Sequence, residues 1–194
     1  MTHEGIDIRP LTPQRLPDFL DFFEQRAFAD NPKWLSCYCH FPHAEHATIV
    51  WKERTAAQNR AATCARIENE TMTGWLAYAG DEAIGWCNAG PRRFIEGLFD
   101  EPEPLADRIG AIACFVIAPA FRGRRIATAL LGAACEGLRE RGFAWAEAYP
   151  REGGNAAENH HGPLAMYIAA GFERVKTDAD GGLTVRKRLV AAGR

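Results

Sequence analysis

Apolar and polar positions alternate along this chain in a way that lays out a series of strands and helices. Ile6–Pro10 reads as a short first strand. From about Pro13 to Ala29, Leu16, Phe19, Leu20 and Phe23 recur at helical spacing and predict an amphipathic helix that Asn31-Pro32 stops. Residues 32 to 45 read as a loop rich in aromatic, Cys and His residues. His46 to about Glu70 reads as a longer helix, with Ile49, Val50, Arg54, Ala57 and Ala61 in helical register. Thr73–Ala79 and Ala83–Ala89 predict a hairpin turning at Gly80-Asp81. A long connection follows over 90 to 108, with a short helix near Phe94 to Phe99. An apolar run with β-branched Val116 and Ile117 predicts a buried strand ended by Pro119. Ile126 to Leu138 then reads as a helix, and Gly142–Pro150 as a central strand. After a polar loop (Arg151–Pro163), a short helix begins with Pro163 and ends at Gly171. Strands over 172–177 and 183–189 meet at Asp180-Gly-Gly182. The order β-α-α-β-β-β-α-β-α-β-β predicts an α/β fold, a mixed sheet flanked by helices on both faces.

The most informative stretch joins the strand before Pro119 to the helix after it. Arg122-Gly123-Arg124-Arg125 is a basic turn between strand and helix. Such a turn aims free backbone N–H groups at one point, where the helix dipole also favours negative charge, so a diphosphate fits. The segment Arg122-Gly-Arg-Arg-Ile-Ala127 resembles the acyl-CoA-binding motif of the GNAT acetyltransferase superfamily: Arg or Gln, two residues, Gly, one residue, then Gly or Ala. Arg122 and Ala127 fit it, whereas Arg125 stands where the family usually has Gly. A second match lies downstream in Gly162-Pro-Leu-Ala-Met-Tyr167-Ile-Ala-Ala-Gly171-Phe172, a Tyr-bearing short helix running into Gly-Phe. The two matches agree in order and spacing across about residues 73 to 190. Four further segments resemble a bacterial subgroup of the family: the Trp-x-x-Cys-x-Cys stretch Trp34 to Cys39, Gly85-Trp-Cys to Arg92, Cys114-Phe115 and Tyr149-Pro150.

The resemblance implies one N-acetyltransferase domain over 1–194 with a mostly antiparallel GNAT-like sheet. Its acyl-CoA-binding core would span about 73–190. Acetyl-CoA would be the cosubstrate and a small-molecule or peptide amine the acceptor. Phe115, Val116 and Ile117 would line the pantetheine arm, and Arg122, Gly123, Arg124, Arg125, Ile126, Ala127 and Thr128 would cradle the pyrophosphate. Tyr167 would hand a hydrogen bond or proton to the departing sulfur, or else pack the short helix. Glu147, a carboxylate within an apolar strand, is either the base that takes the amine proton or an ion-pair partner of an Arg. Glu158, His160 and His161 are further base candidates on the loop. The segment between the first two helices would border the acceptor pocket, with Trp34, Tyr38, His40 and Phe41 as its wall.

Cys37, Cys39, His40, His43 and His46 bring zinc-type ligands together, but Cys-x-Cys lacks the Cys-x₂-Cys spacing and a second ligand pair, so no metal is expected. Cys64, Cys87, Cys114 and Cys135 sit in apolar or periodic contexts and read as small core residues. The 194 residues carry a formal net charge of −2, with 47% hydrophobic and 25% charged residues, which gives no global pull toward nucleic acid or anionic lipid. Neither a signal peptide nor a membrane span is evident, so a cytoplasmic protein with reduced thiols is expected. Exposed edge strands leave a homodimer open. The alternative to an enzyme is a non-catalytic acyl-CoA-binding module, a sensor whose Cys-His loop responds to metal or redox state.

Overall fold

The computed structural model describes residues 5–99, 103–151, 158–178 and 181–189. A seven-stranded sheet runs in the order β1-β2-β3-β4-β5-β7-β6. Its strands are β1 (Ile6–Pro10), β2 (Gly74–Ala79), β3 (Glu82–Pro91), β4 (Ile109–Ile117), β5 (Trp145–Ala148), β6 (Glu173–Thr177) and β7 (Leu183–Arg188). Every neighbouring pair is antiparallel except β4 with β5. Among the described residues four α-helices flank the sheet: α1 (Leu16–Gln25), α2 (Ala56–Glu68), α3 (Ile126–Glu140) and α4 (Leu164–Ala169).

The two faces bury separate cores, as a sheet covered on both sides requires. On one face α3 and α4 pack Leu130, Leu131, Ala134, Leu138 and Tyr167 against Ile84, Ile112 and Phe115. On the other, α1 sets Phe19, Phe22 and Phe23 against Leu76, Tyr78 and Trp86. Phe19 stacks on Phe23 at 4.4 Å and meets Trp86 edge-on at 5.1 Å. Phe115 faces the first core and Val116 the second, the alternation a pleated strand imposes.

The element order is the one the hydrophobic pattern predicts, but several boundaries move. The helix expected from His46 begins at Ala56, ten residues later. Thr55 caps it: the Gln58 N–H donates to the Thr55 hydroxyl, and the Gln58 side chain accepts from the Thr55 N–H. Residues 51–53 form only a 3₁₀ turn. Ile49 and Val50 match helical spacing, yet Val50 is 61% exposed and has no core to pack against. Strand β4 starts at Ile109, earlier than the run from Cys114, because small Gly110, Ala111 and Ala113 conceal it in a hydropathy reading. Cys64 is half-buried on α2, whereas Cys87, Cys114 and Cys135 are buried.

Candidate active site

Strands β4 and β5 pair in parallel only from Ile109↔Trp145 to Ile112↔Ala148. Strand β4 runs on for five more residues to Ile117, paired with β3 on its other side. A bulge lies at the point of divergence: Asn88 pairs with Cys114 and Ala89 with Ile112, so Ala113 has no direct partner on β3. The result is an open β4 edge inside the sheet, facing a cavity of about 740 Å³. Phe115, Val116, Ile117, Arg122 and Ala127 line this cavity.

His161 sits at the fork. Its Nδ1 donates to the Ala113 carbonyl at 2.7 Å, one residue past the last β4–β5 pair. The His161 carbonyl in turn accepts from the Tyr167 hydroxyl at 2.6 Å. Tyr167 is fully buried against Phe115 and Phe172, and burial pushes its phenol well above the usual value. Its hydroxyl thus anchors the loop that carries His161. Gly162 between them has φ +84°, and a Cβ there would lie 3.2 Å from the Tyr167 ring.

The basic turn leads into α3. Gly123 has φ +76°, and Arg125, the N-cap, is left-handed at φ 58°. No side chain caps the helix, and its first backbone bond returns from Ala129 to Arg125. The amides of Ile126, Ala127 and Thr128 therefore have no carbonyl within the helix to bond, which is the donor set a diphosphate needs. Arg122 donates from Nε to the Ile117 carbonyl at 3.2 Å and forks both Nη atoms onto Asp30. That guanidinium holds Asp30 below the usual carboxylate range. Arg124 lies over the Phe121 ring.

Residues 32–43 close the other end of the cavity, and α2 holds them there with polar side chains. Asn59 donates to the Ser36 carbonyl at 2.9 Å, Thr63 to Tyr38 at 3.1 Å and Arg66 to His43 at 2.7 Å. These three positions share one helix face. An apolar-stripe reading passes over them because their task is to satisfy loop carbonyls. Trp34 and Phe41 line the cavity, with Phe23, Phe28, Cys37, Cys39 and Trp51. Tyr38 and His40, expected in the same wall, are instead buried behind it. Tyr38 stacks on Phe23, and His40 is 3% exposed. Two successive left-handed residues, Tyr38 and Cys39, turn the chain inward at this point.

The Cys-His segment is dispersed. Cys37 and Cys39 face the cavity, while His43 is buried, donating from Nδ1 to the Phe94 carbonyl at 2.7 Å and accepting from the Asn88 amide at 2.9 Å. His46 bonds the Phe41 carbonyl. Among the described residues no three His, Cys, Asp or Glu side chains are placed to hold a metal.

Glu147, the first base candidate, is 1% exposed and does not line the cavity. Its Oε1 accepts from Arg92 at 3.0 Å and from the Tyr149 hydroxyl at 2.6 Å, and its Oε2 accepts from Arg186. The ion-pair alternative describes this geometry. Arg92 itself lies 3.7 Å over the Phe99 ring. The side chain of Glu158 lies outside the described residues.

A mixed sheet forked between its parallel strands, with an uncapped helix start beside the fork, defines an acyl-CoA-type transferase fold. The acetyltransferase (GNAT) family model matches residues 21–160, and the chain belongs to that family of N-acetyltransferases. Similar solved structures include an N-acetyltransferase from Staphylococcus aureus Mu50, at 14% identity and TM-score 0.57 over 95% of this chain and 99% of that one. Another is the PaiA N-acetyltransferase from Thermoplasma acidophilum in complex with coenzyme A (15%, 0.56, 97% and 99%). The ribosomal-protein-S18-alanine N-acetyltransferase from Escherichia coli is similar to the same degree (15%, 0.55, 97% and 96%). At these identities the likeness speaks to the fold. No curated protein matches the chain in sequence.

Proposed function

We propose that this enzyme moves the acetyl group of acetyl-CoA to a primary amine carried on an apolar body, by direct attack of the amine on the thioester. The reading rests on one observation: a single cavity runs from the open β4 edge and the α3 start to an aromatic wall. The pantetheine arm would lie along Phe115 to Ile117, and the diphosphate on the amides at the start of α3. That leaves the acetyl end beside Cys114 and His161, facing Trp34, Phe41 and Trp51. Holding the two reactants together in this slot supplies proximity, and aimed amides would polarise the carbonyl.

Charge decides between acceptor classes. Asp30 is the sole acid among the described cavity-lining residues, and Arg122 already occupies it. Lys33 adds a positive charge. Polyamines and aminoglycosides, which carry several cations, would enter without counter-charges, whereas an arylalkylamine would bury its ring against the aromatic wall. The four shared segments support membership of the bacterial subgroup.

The test pairs calorimetry of coenzyme A binding with free-thiol release from acetyl-CoA across arylalkylamines, polyamines, aminoglycosides and peptides. Binding together with release that favours arylalkylamines is expected. Binding without release by any amine would instead make the chain a non-catalytic acyl-CoA module. Absence of binding would defeat both readings.

A further inference from the structure

An acetyl transfer to an amine has to move a proton. The amine lone pair forms a bond to the carbonyl carbon, the carbon–sulfur bond breaks, and a proton leaves nitrogen while the sulfur departs as a thiol. Glu147 is committed to two guanidiniums and a phenol, and Tyr167 to a backbone carbonyl. His161 is placed differently. Its Nδ1 faces a carbonyl oxygen, which can only accept, so Nδ1 carries the hydrogen and Nε2 the lone pair. The residue lines the cavity at the end of β4 where the strands diverge. Its backbone is pinned by a fully buried tyrosine, so the ring is held in place before any ligand arrives.

Resting on the transferase reading above, we propose that His161 is a catalytic residue that relays the proton, its Nε2 taking the N–H proton of the attacking amine and passing it to the departing sulfur. Atoms balance with no further reactant: amine and thioester give amide and thiol, and the imidazole returns neutral. The surroundings keep the resting ring neutral. Burial, followed by the nearby His160 and Arg151, lowers its pKa to about 4. A proton received during attack would therefore be held weakly and given up readily to a thiolate. Tyr167 acts through His161 as a positioning residue.

His161→Asn keeps an amide N–H at the position of Nδ1 for the Ala113 carbonyl but has no group that titrates. With an alkylamine acceptor its kcat should fall on the order of 10²-fold, the usual scale for general acid–base catalysis. With an arylamine, neutral at pH 7 and giving an adduct acidic enough to lose its proton to water, the fall should be less than about fivefold. His161→Ala should regain alkylamine activity when free imidazole is added. Coenzyme A affinity by calorimetry should stay within about twofold of wild type in both variants, showing that the fold and slot survive. Equal losses with both amines and no imidazole rescue would reduce His161 to a structural wedge and overturn the proposal, as would unchanged alkylamine turnover. A wild-type protein that binds coenzyme A but releases no thiol with any amine would remove the transferase reading itself, and this proposal with it.

Discussion

At the residue scale, Arg125 shows how a departure from a motif is absorbed. The family usually has Gly there, and the backbone is left-handed, as Gly would allow. A side chain in that region costs about 1–2 kcal/mol, part of which is returned because an arginine is less free than Gly in the unfolded chain. Arg125→Gly should therefore raise stability by roughly 0.5–1 kcal/mol in chemical denaturation. If the guanidinium also touches the cofactor's phosphates, coenzyme A affinity should fall in the same variant; a more stable protein with unchanged affinity would limit Arg125 to the turn. Glu147 carries a different lesson. Its position within an apolar strand was legible in the sequence, and its partners were not, because Arg92 and Arg186 lie 55 and 39 residues away along the chain. Glu147→Gln would leave two guanidiniums facing a neutral amide, and should cost about 3 kcal/mol of stability, the scale for breaking a buried pair. Residual kcat measured well below the melting temperature should stay near wild type. A selective collapse of kcat in folded protein would return Glu147 to the chemistry.

At the scale of elements, the legible parts were those whose signal is local. The basic turn, the Tyr-bearing helix and the order of strands all come from contiguous residues. The misplaced ones depend on remote partners. Spacing extends helix α2 backward over Ile49 and Val50 because it cannot tell a packed residue from an exposed one. Its true start is written in Thr55 and Gln58. Its inward face was not legible, since Asn59, Thr63 and Arg66 bond carbonyls of a segment more than twenty residues away. The same distance hid the burial of Tyr38 and His40 behind Trp34 and Phe41. Asn59→Ala would remove the hydrogen bond by which a buried side chain holds the Ser36 carbonyl, at a cost of about 1 kcal/mol. Because Ser36 lines the acceptor end of the cavity and not the α3 turn, the amine KM should rise severalfold while coenzyme A affinity holds. A parallel loss of both would mean that α2 supports the whole slot.

For the molecule as a whole, three buried imidazoles contribute to the response to acid. His40, His43 and His161 all have their pKa lowered to about 4, with burial the largest cause in each. In the unfolded chain they would titrate near pH 6.5. Above that value both states are neutral and these groups do not affect stability. As the pH falls from about 6.5 toward 4 the unfolded chain binds protons that the folded one refuses, so stability drops across that window and levels off below it. Denaturant midpoints measured from pH 7.5 to 4 should show this slope, and His43→Gln should flatten it. An identical slope in the variant would assign the acid response to other groups. Among the described residues no helix is long and apolar enough to cross a membrane.

The fork between β4 and β5 also has a cost when nothing fills it. Between Cys114 and Ile117 every second peptide group turns away from β3 and toward the gap, where no strand lies beside it. An unsatisfied strand border is where chains stick to one another. If the pantetheine arm serves as a surrogate strand, the ligand-free protein should exchange these amide hydrogens for deuterium quickly and clump on warming. Saturating coenzyme A should slow exchange there more than anywhere else in the sheet and keep warmed samples clear.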